Sequence, residues 1–388
     1  MLKIIRGKLT KVFSMLKAIK LRSPKKNRIA VIDTVRIYDI NSLLGDIPYT
    51  PISNRSEEIY VGIGLLLEII KTSYRKKRKS GQGLLSSFLH SICGSNGNYL
   101  EACISYSQPQ YVFTLIDNNP FIFNVSALFP NIKFIAIQAA SRMESHISRI
   151  EPSNPNHVYY FCLSEYERSI FPRYGYDKSR MIPAGSLLEA LWMERKKNVP
   201  RRYDICVSSQ WRKEFFDTPS SAPIFRDAQT KVYRNIARLV KEENYTCCVA
   251  SVRKNDEEIS YFREIFGPNV FINDSTTDFS TYDLMEASTL VITLNSTSGR
   301  EAVSIGSRVI FNDPPSEETI HDPNDKLWSK LYLIEDDYRS LYERAKTVLN
   351  MTDEDYENEY GESCRYIIQS QKRYTTKQRL LDFMSYKT

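Results

Sequence analysis

Short apolar runs recur along most of the chain, and each is followed by a polar loop and a stretch of helical periodicity. The first series of runs lies at 28–33, 111–116, 132–137 and 158–163, and the second at 203–207, 245–250, 270–272, 289–294 and 308–311. Strands that alternate with helices form βαβ crossovers and therefore a parallel sheet. The chain has 388 residues, which is enough for two or three domains. The sequence therefore predicts an α/β protein with two doubly wound, Rossmann-type lobes.

The two series set the expected domain boundaries. We expect a basic arm, an N-terminal lobe, a linker, a C-terminal lobe and a helical tail, at 1–27, 28–188, 189–202, 203–334 and 335–388 respectively. Helices are expected at 57–74, 226–242 and 256–266. Ligands of such sheets bind beyond the carboxyl ends of the strands. A cleft between the two lobes is therefore the expected site.

The positive charge of the chain is concentrated at its start. Residues 1–28 hold ten basic residues and no acidic one, although the whole chain has a net charge of only +7. Leu2, Ile5, Leu9, Val12, Leu16 and Ile19 repeat at helical spacing and predict an amphipathic helix over 1–22. Such a helix binds an anionic membrane surface or packs on the protein. The rest of the chain is net negative, which argues against a nucleic-acid partner.

A second basic cluster, Arg75 to Lys79, ends the helix expected at 57–74. Cations suit the C-terminal end of a helix, so a solvated helix end explains the cluster. A second contact with an anionic surface is the alternative. No apolar run reaches the roughly 18 residues that span a bilayer, and the basic start lacks the apolar core of a signal peptide. We expect a cytoplasmic protein, peripheral on the inner face of the membrane if the arm binds lipid.

The cysteines and histidines give no sign of a metal or redox site. The seven cysteines include no C-x-x-C pair, and several lie in apolar strand-like runs. Buried, reduced thiols in a reducing compartment are the simplest explanation. The four histidines are scattered, and no D-x-D follows a strand. We therefore expect no metal ion and no other cofactor.

The strongest local signal follows the strand at 289–294. A run of small hydroxyl residues, Ser296, Thr297 and Ser298, leads through Gly299, Arg300 and Glu301 into a helix that Gly306 ends. The free N–H groups at a helix start bind anions, and the hydroxyls are further donors to phosphate oxygens. Glu301 is placed to accept from sugar hydroxyls, and Gly306 permits a left-handed cap. A plain Ser/Thr N-cap is the alternative interpretation.

This run resembles a signature, S-T-x-G-x-E-A-x-x-x-G and a buried strand, of GT-B glycosyltransferases that build bacterial surface polysaccharides. Residues 296–302, Gly306 and Val309 match it, whereas the Lys-Pro that often follows the last glycine is Ser307-Arg308. Parts of the N-terminal half resemble proteins of surface carbohydrate and O-antigen biosynthesis, at 116–120, 128–135 with Gln138, and 164–186. The resemblance implies a GT-B-like fold. It also implies a nucleotide-sugar donor in the C-terminal lobe and a glycan or glycolipid acceptor, of O-antigen or capsule type, in the N-terminal lobe.

Polar residues at other strand ends complete the predicted site. Beside 296–301 and Gly306, the donor-binding candidates are Ser208, Ser209, Gln210 and Arg253. The acceptor-side candidates are Asn118, Asn119, Gln138 and Arg142. An inverting transferase needs a general base near the acceptor hydroxyl. Asp117 ends an apolar strand and is the candidate base, with Glu165 as its alternative. A helix cap is the structural explanation for either carboxylate.

Other functions fit the same pattern. One is a non-catalytic, two-lobed glycan-binding protein or a degenerate transferase partner. Another is a sugar-nucleotide epimerase on the same fold, which acts on a free nucleotide sugar without an acceptor. The sequence favours the glycosyltransferase among these three.

Overall fold

The structure is a computed structural model. It describes residues 19–33, 37–52, 59–80, 98–118, 121–142, 147, 157–195, 199–212, 223–273, 279–314 and 325–386. These residues separate into two compact units. The first contains the described residues up to Ala139, those of 157–161, and Pro172–Ile182. The second contains those of 140–149, Cys162–Phe171, and those from Pro183 onward.

A six-stranded sheet forms the centre of the first unit. Its strands, in chain order, are β2 (Ile29–Ile32), β3 (Tyr49–Ile52), β5 (Tyr111–Thr114), β6 (Lys133–Ile137), β7 (Val158–Cys162) and β8 (Met181–Pro183). The spatial order is β3-β2-β5-β6-β7-β8, and the pairs from β3 to β7 are parallel. All four residues of β2 and of β5 are buried, as expected for parallel strands covered on both faces. A separate parallel pair joins β1 (Ile19–Lys20) to β4 (Ile59–Tyr60).

The second unit has its own six-stranded sheet. Its strands are β9 (Tyr203–Ser208), β10 (Cys247–Ala250), β11 (Phe271–Ile272), β12 (Ser288–Thr293), β13 (Arg308–Asn312) and β14 (Tyr332–Leu333). The spatial order is β11-β10-β9-β12-β13-β14, with parallel pairs throughout. The predicted strand series and the alternation with helices are confirmed in both units.

Fourteen helices of the described residues connect or follow these strands. In the first unit they are α1 (Ile37–Leu44), α2 (Ile63–Ser80), α3 (Asn98–Ser107) and α4 (Phe121–Ser126). In the second they are α5 (Glu165–Ile170), α6 (Leu187–Arg195), α7 (Pro223–Glu243), α8 (Asp256–Phe266), α9 (Ser280–Glu286), α10 (Thr297–Ile305), α11 (Lys326–Ser329), α12 (Tyr338–Asn350), α13 (Asp353–Ile367) and α14 (Thr376–Phe383). The helices expected at 226–242 and 256–266 and the helical tail are confirmed. Within the tail, α13 and α14 each begin with a capping box.

Three predicted boundaries differ from the structure. The helix expected at 57–74 begins at Ile63, because Ile59–Tyr60 pairs with Ile19–Lys20 as a strand. For the same reason, the helix expected over 1–22 does not include Ile19–Lys20. Its residues 1–18 lie outside the described residues. The linker expected at 189–202 begins inside α6, whose Ala190, Leu191 and Trp192 are buried.

Candidate functional site

Three hydroxyl side chains meet where α10 begins. Ser296 is the N-cap of α10, and its Oγ accepts from the backbone N–H of Ser298. The Ser298 Oγ lies 2.7 Å from the Ser296 Oγ and 2.6 Å from the Ser208 Oγ. Ser208 ends β9 and Thr293 ends the neighbouring strand β12, so the two carboxyl ends bring these hydroxyls together. Ser296 and Ser298 are half-buried, as is Thr297 between them.

The two glycines of this segment have separate structural reasons. A Cβ on Gly299 would lie 2.6 Å from Cγ2 of Thr293 and 2.7 Å from the ring of Phe311. A glycine therefore lets α10 pack closely on the sheet. Gly306 has φ +97° and caps α10 in the left-handed conformation, which glycine adopts without strain. The predicted N-cap and the predicted left-handed C-cap are both confirmed.

Gln210 locks the loop after β9 to the loop after β12. Its Nε2 donates to Oδ1 of Asn295 at 2.7 Å, and its Oε1 accepts from the Asn295 backbone N–H at 2.9 Å. The Asn295 amide also lies 3.3 Å from a carboxylate oxygen of Asp313. Gln210 thus holds the loops that carry the hydroxyls. Its neighbour Ser209 is buried and donates to Glu258 at 2.6 Å.

Glu258 organises the loop after β10, a role that the sequence did not predict. Its buried carboxylate accepts from the backbone N–H groups of Val252, Arg253 and Lys254, at 3.0, 2.7 and 3.0 Å. The predicted donor-binding residue Arg253 is therefore held through its backbone, while its side chain is exposed. The signal was the Asn255-x-x-Glu258 spacing, because Asn255 caps α8 and its Oδ1 accepts from the Glu258 N–H.

Arg300 is a buried anchor within the second unit. Its guanidinium forms a bidentate ion pair with Glu167, at 2.6 and 2.9 Å, in which both side chains are only 1% exposed. It also donates to the Ser164 Oγ at 3.0 Å and to the Ile367 carbonyl. Burial lowers the pKa of Arg300, but the adjacent Glu167 outweighs this and raises it. The geometry thus gives Arg300, predicted to bind the donor, a set of protein partners.

Glu301 belongs to a second buried cluster, one turn along α10 from Ser298. The Ser186 Oγ donates to Glu301 at 2.5 Å, and the Ser304 Oγ donates to Glu189 at 2.6 Å. Burial raises the pKa of Glu189 well above its usual range, and the nearby Glu301 raises it further. Burial, reinforced by the same two carboxylates, likewise raises the pKa of Tyr282. The cluster thus places Glu301 beside a carboxyl group whose pKa is raised, and pairs of carboxyl groups in unlike environments are suited to acid–base chemistry.

The partners of Glu301 had no local sequence signal. Ser186 and Glu189 lie at the start of α6, and Tyr282 lies in α9. They are brought to α10 by packing, not by proximity in the chain. Another hydrogen bond also connects α10 to a distant part of the sequence: the Thr297 Oγ1 accepts from the Ser141 backbone N–H at 2.8 Å. Arg142, predicted on the acceptor side, follows Ser141 in the second unit and is half-buried.

Asp117 lies in the first unit and is fully buried. Its carboxylate accepts from the Tyr160 hydroxyl at 2.7 Å and from the Ala139 backbone N–H at 3.2 Å. The neighbouring Asn118 is exposed, Gln138 is buried, and Asn119 lies outside the described residues. The alternative base Glu165 is about half exposed and pairs with Arg168 at 3.2 Å. Of the two carboxylates, Asp117 is thus the one held in a defined orientation.

In the part of the chain that the structure describes, no group of three or more His, Cys, Asp or Glu could hold a metal ion. No helix of that part is both long and apolar enough to cross a bilayer. Burial raises the pKa of the Cys162 and Cys247 thiols well above the usual thiol range. A hydrogen bond with Cys248, followed by burial, does the same for the pKa of Cys206. These thiols are therefore poor nucleophiles.

Solved structures that resemble this chain share its fold at low sequence identity. S. aureus MnaA, solved with UDP, has a TM-score of 0.53 and 12% identity, over 93% of this chain and 96% of that one. The UDP-GlcNAc 2-epimerase of Methanocaldococcus jannaschii, in complex with UDP-GlcNAc and UDP, has a TM-score of 0.52 and 13% identity, over 92% and 99%. Another UDP-N-acetylglucosamine 2-epimerase has a TM-score of 0.53 and 14% identity, over 94% and 98%. No protein-family model matches the chain, and no curated protein matches it.

These likenesses extend over both sheets and nearly the whole of each compared chain. At such identities they show the fold alone. The chain therefore has the GT-B fold, with two α/β units built on parallel six-stranded sheets, and the predicted fold class is confirmed.

Proposed function

We propose that the protein binds a UDP-N-acetylhexosamine in its second unit and epimerises the sugar. The observation that carries the proposal is the position of the Glu301–Glu189 cluster one helical turn behind the hydroxyls of Ser208, Ser296 and Ser298. Residues three apart in a helix lie on the same side. The Ser298 hydroxyl, which can donate to a phosphate oxygen, and the Glu301 carboxyl group therefore lie along one side of α10.

The diphosphate is assigned to the start of α10. The first N–H groups of a helix and its dipole favour an anion, and the half-buried hydroxyls add donors that rotate to fit phosphate oxygens. The two hydrogen bonds between Gln210 and Asn295 hold the loops that carry these groups, and neither residue adds a charge. A neutral, pre-organised phosphate site of this kind needs no metal ion, and the absence of a metal requirement stays a prediction.

The sugar chemistry is assigned to the two glutamates. Inversion at C2 balances if a base removes the C2 proton while UDP leaves C1, so that the electron pair of the C–H bond forms a C1–C2 double bond and that of the C1–O bond departs with UDP. UDP then adds back at C1 while an acid protonates C2 on the opposite face. Two carboxyl groups that act as base and acid supply these proton transfers. We assign the roles to Glu301 and Glu189, since the raised pKa of Glu189 favours its protonated form. The substrate class is taken from the similar structures, which include complexes with UDP and UDP-GlcNAc.

A glycosyltransferase is the second candidate, and the S-T-x-G-x-E-A run at 296–302 favours it. In this alternative the same site holds the donor, a surface glycan or glycolipid is the acceptor, and Asp117 is the base. Its buried, doubly hydrogen-bonded carboxylate is already oriented. Exchange of Asp117 for Asn should then slow transfer by roughly 10²-fold or more without changing donor affinity.

One experiment separates these functions. The protein is incubated with UDP-GlcNAc in D₂O without any acceptor, and the sugar is followed by NMR. An epimerase at C2 forms the C2 epimer and places deuterium at that carbon. A transferase leaves the sugar unchanged and releases UDP only when an acceptor glycan is added.

Thermal-shift measurements with UDP-, GDP-, CMP- and dTDP-sugars run in parallel, because binding stabilises the folded state. Stabilisation without epimerisation or transfer would indicate a degenerate, non-catalytic partner. If none of these nucleotide sugars shifted the melting temperature, the assignment of the site at α10 would be withdrawn.

A further inference from the structure

Helix α2 exposes an apolar stripe along one side. Ile63, Leu67, Ile70 and Tyr74 are 81%, 54%, 47% and 59% exposed. Their spacing of four, three and four residues places them on one face of the helix. Single exposed apolar residues are ordinary on a protein surface, whereas a contiguous patch marks a contact. We call these four residues the α2 stripe.

Contacts on the other side of α2 determine which face is exposed. Leu65 and Ile69 are buried, and the Glu68 carboxylate accepts from the Ser105 hydroxyl of α3 at 3.2 Å. A Cβ on Gly64 would lie 2.6 Å from the ring of Tyr106, so the two helices approach closely there. The α2 stripe is therefore the face that remains after α2 has packed on α3.

The charge of α2 indicates what the stripe contacts. After Tyr74 the helix continues through Arg75, Lys76, Lys77, Arg78 and Lys79. The one acidic residue of α2, Glu68, is paired with Lys71 at 2.8 Å as well as with Ser105. A helix with an exposed apolar face and a cationic end fits the interface of an anionic bilayer. There, apolar side chains enter the headgroup boundary and Lys and Arg stay near the phosphates.

The arm is another segment that could cover the stripe, because Ile19 pairs with Ile59 shortly before α2 begins. However, residues 1–18 contain five basic residues and no acidic one. Two cationic segments repel each other, whereas an anionic surface attracts both. Charge complementarity therefore favours lipid over the arm as the occupant.

We propose that the α2 stripe and the cationic end of α2 dock on an anionic phospholipid bilayer. This surface lies in the first unit and does not depend on the function proposed for the second. It gives the basic cluster at 75–79 a role beyond that of a solvated helix end.

The test is co-sedimentation of the full chain with vesicles of phosphatidylcholine, with and without phosphatidylglycerol, at low and high salt. The variant Leu67→Gln/Ile70→Gln removes the middle of the stripe at exposed positions. The matched control Val252→Gln/Ile334→Gln changes two residues of similar exposure, 53% and 47%, in the second unit. We expect salt-sensitive binding to the anionic vesicles only, weakened roughly tenfold or more in the α2 variant and unchanged in the control.

A chain that lacks residues 1–18 separates the stripe from the arm. We expect it to retain salt-sensitive binding, and Leu67→Gln/Ile70→Gln to remove that remainder. The proposal is overturned if the α2 variant sediments like the unmodified chain, or if the shortened chain no longer binds. It is also overturned if the unmodified chain does not bind anionic vesicles, in which case the oligomeric mass and the melting temperature of the α2 variant are compared with those of the unmodified chain. A changed mass or a lower melting temperature would indicate another occupant of the stripe. Those results would assign the stripe to a second copy or to the arm.

Discussion

The first and second turns of α10 belong to one sequence motif but meet different surroundings. The first turn, with Ser296, Thr297 and Ser298, is half-buried and has its hydroxyls close together. The second, with Arg300 and Glu301, is buried and bonded to side chains from distant parts of the second unit. A polar residue in a motif of this kind can thus serve a ligand or serve the fold. The protein partners of Arg300 indicate that it stabilises the fold. Glu301 is also buried, so burial alone does not assign its role, and a substitution there is needed to test it.

The largest expected effect is on stability and comes from Arg300. Arg300→Met leaves Glu167 as a buried charge without its partner, and breaking such a pair costs about 3–5 kcal/mol. Urea denaturation should show this loss. The control is Arg168→Met, whose ion pair with Glu165 is exposed and worth about 0–1 kcal/mol. If the two variants were equally stable, Arg300 would not be a structural anchor, and a role in donor binding would be open to it again.

A substitution at Glu301 tests whether the second turn of α10 takes part in the reaction. Glu301→Gln keeps an oxygen that can accept from Ser186, so the fold should be retained. Loss of an acid–base group should lower turnover of the nucleotide sugar roughly 10²-fold or more, with affinity little changed. Initial rates and calorimetric titration measure the two quantities separately. Reduced affinity with normal turnover at saturation would instead make Glu301 a ligand of the donor.

A substitution at Ser298 tests whether the first turn of α10 binds the phosphates of a UDP-sugar. Ser298→Ala removes the hydroxyl that lies between Ser208 and Ser296, and a hydrogen bond to a charged phosphate is worth about 1.5–3 kcal/mol. Affinity for a UDP-sugar should fall accordingly, with stability within about 0.5 kcal/mol of the original. Ser329→Ala, at an exposed hydroxyl in α11, is the matched control. If it weakened binding as much as Ser298→Ala, the hydroxyls at α10 would not be the phosphate site.

The smallest expected effect is a pH dependence that arises from Glu189. Burial and the nearby Glu301 raise its pKa in the folded state, so the folded protein holds a proton that the unfolded chain releases above the ordinary glutamate pKa of 4.5. The free energy of unfolding should therefore fall as the pH rises from that value to the folded pKa. Glu189→Gln should flatten this decline in melts from about pH 5 to about pH 8. Glu194→Gln, exposed on the same helix, should leave the slope as it was; an unaltered slope in Glu189→Gln would mean that the carboxyl is ionised.

The sequence identified the start of α10 because the signals there are local. An N-cap, a hydroxyl run and a C-cap glycine act within a few residues, and their chemistry can be read from residue types. The functional partners in the next turn could not be found in this way. Glu167 lies 133 positions from Arg300, and Ser186 lies 115 positions from Glu301. Only packing of α5 and α6 against α10 makes those pairs.

The same division holds for the whole chain. Hydrophobic periodicity by itself determined the strand series, the parallel sheets and the helical tail, because buried parallel strands and amphipathic helices need these patterns wherever they lie. Only the tertiary structure shows that Arg300 pairs with the buried Glu167 and that Ser209 donates to Glu258. It also shows that the α2 stripe is exposed. Burial depends on which elements cover a side chain, and that follows from contacts between residues far apart in the sequence.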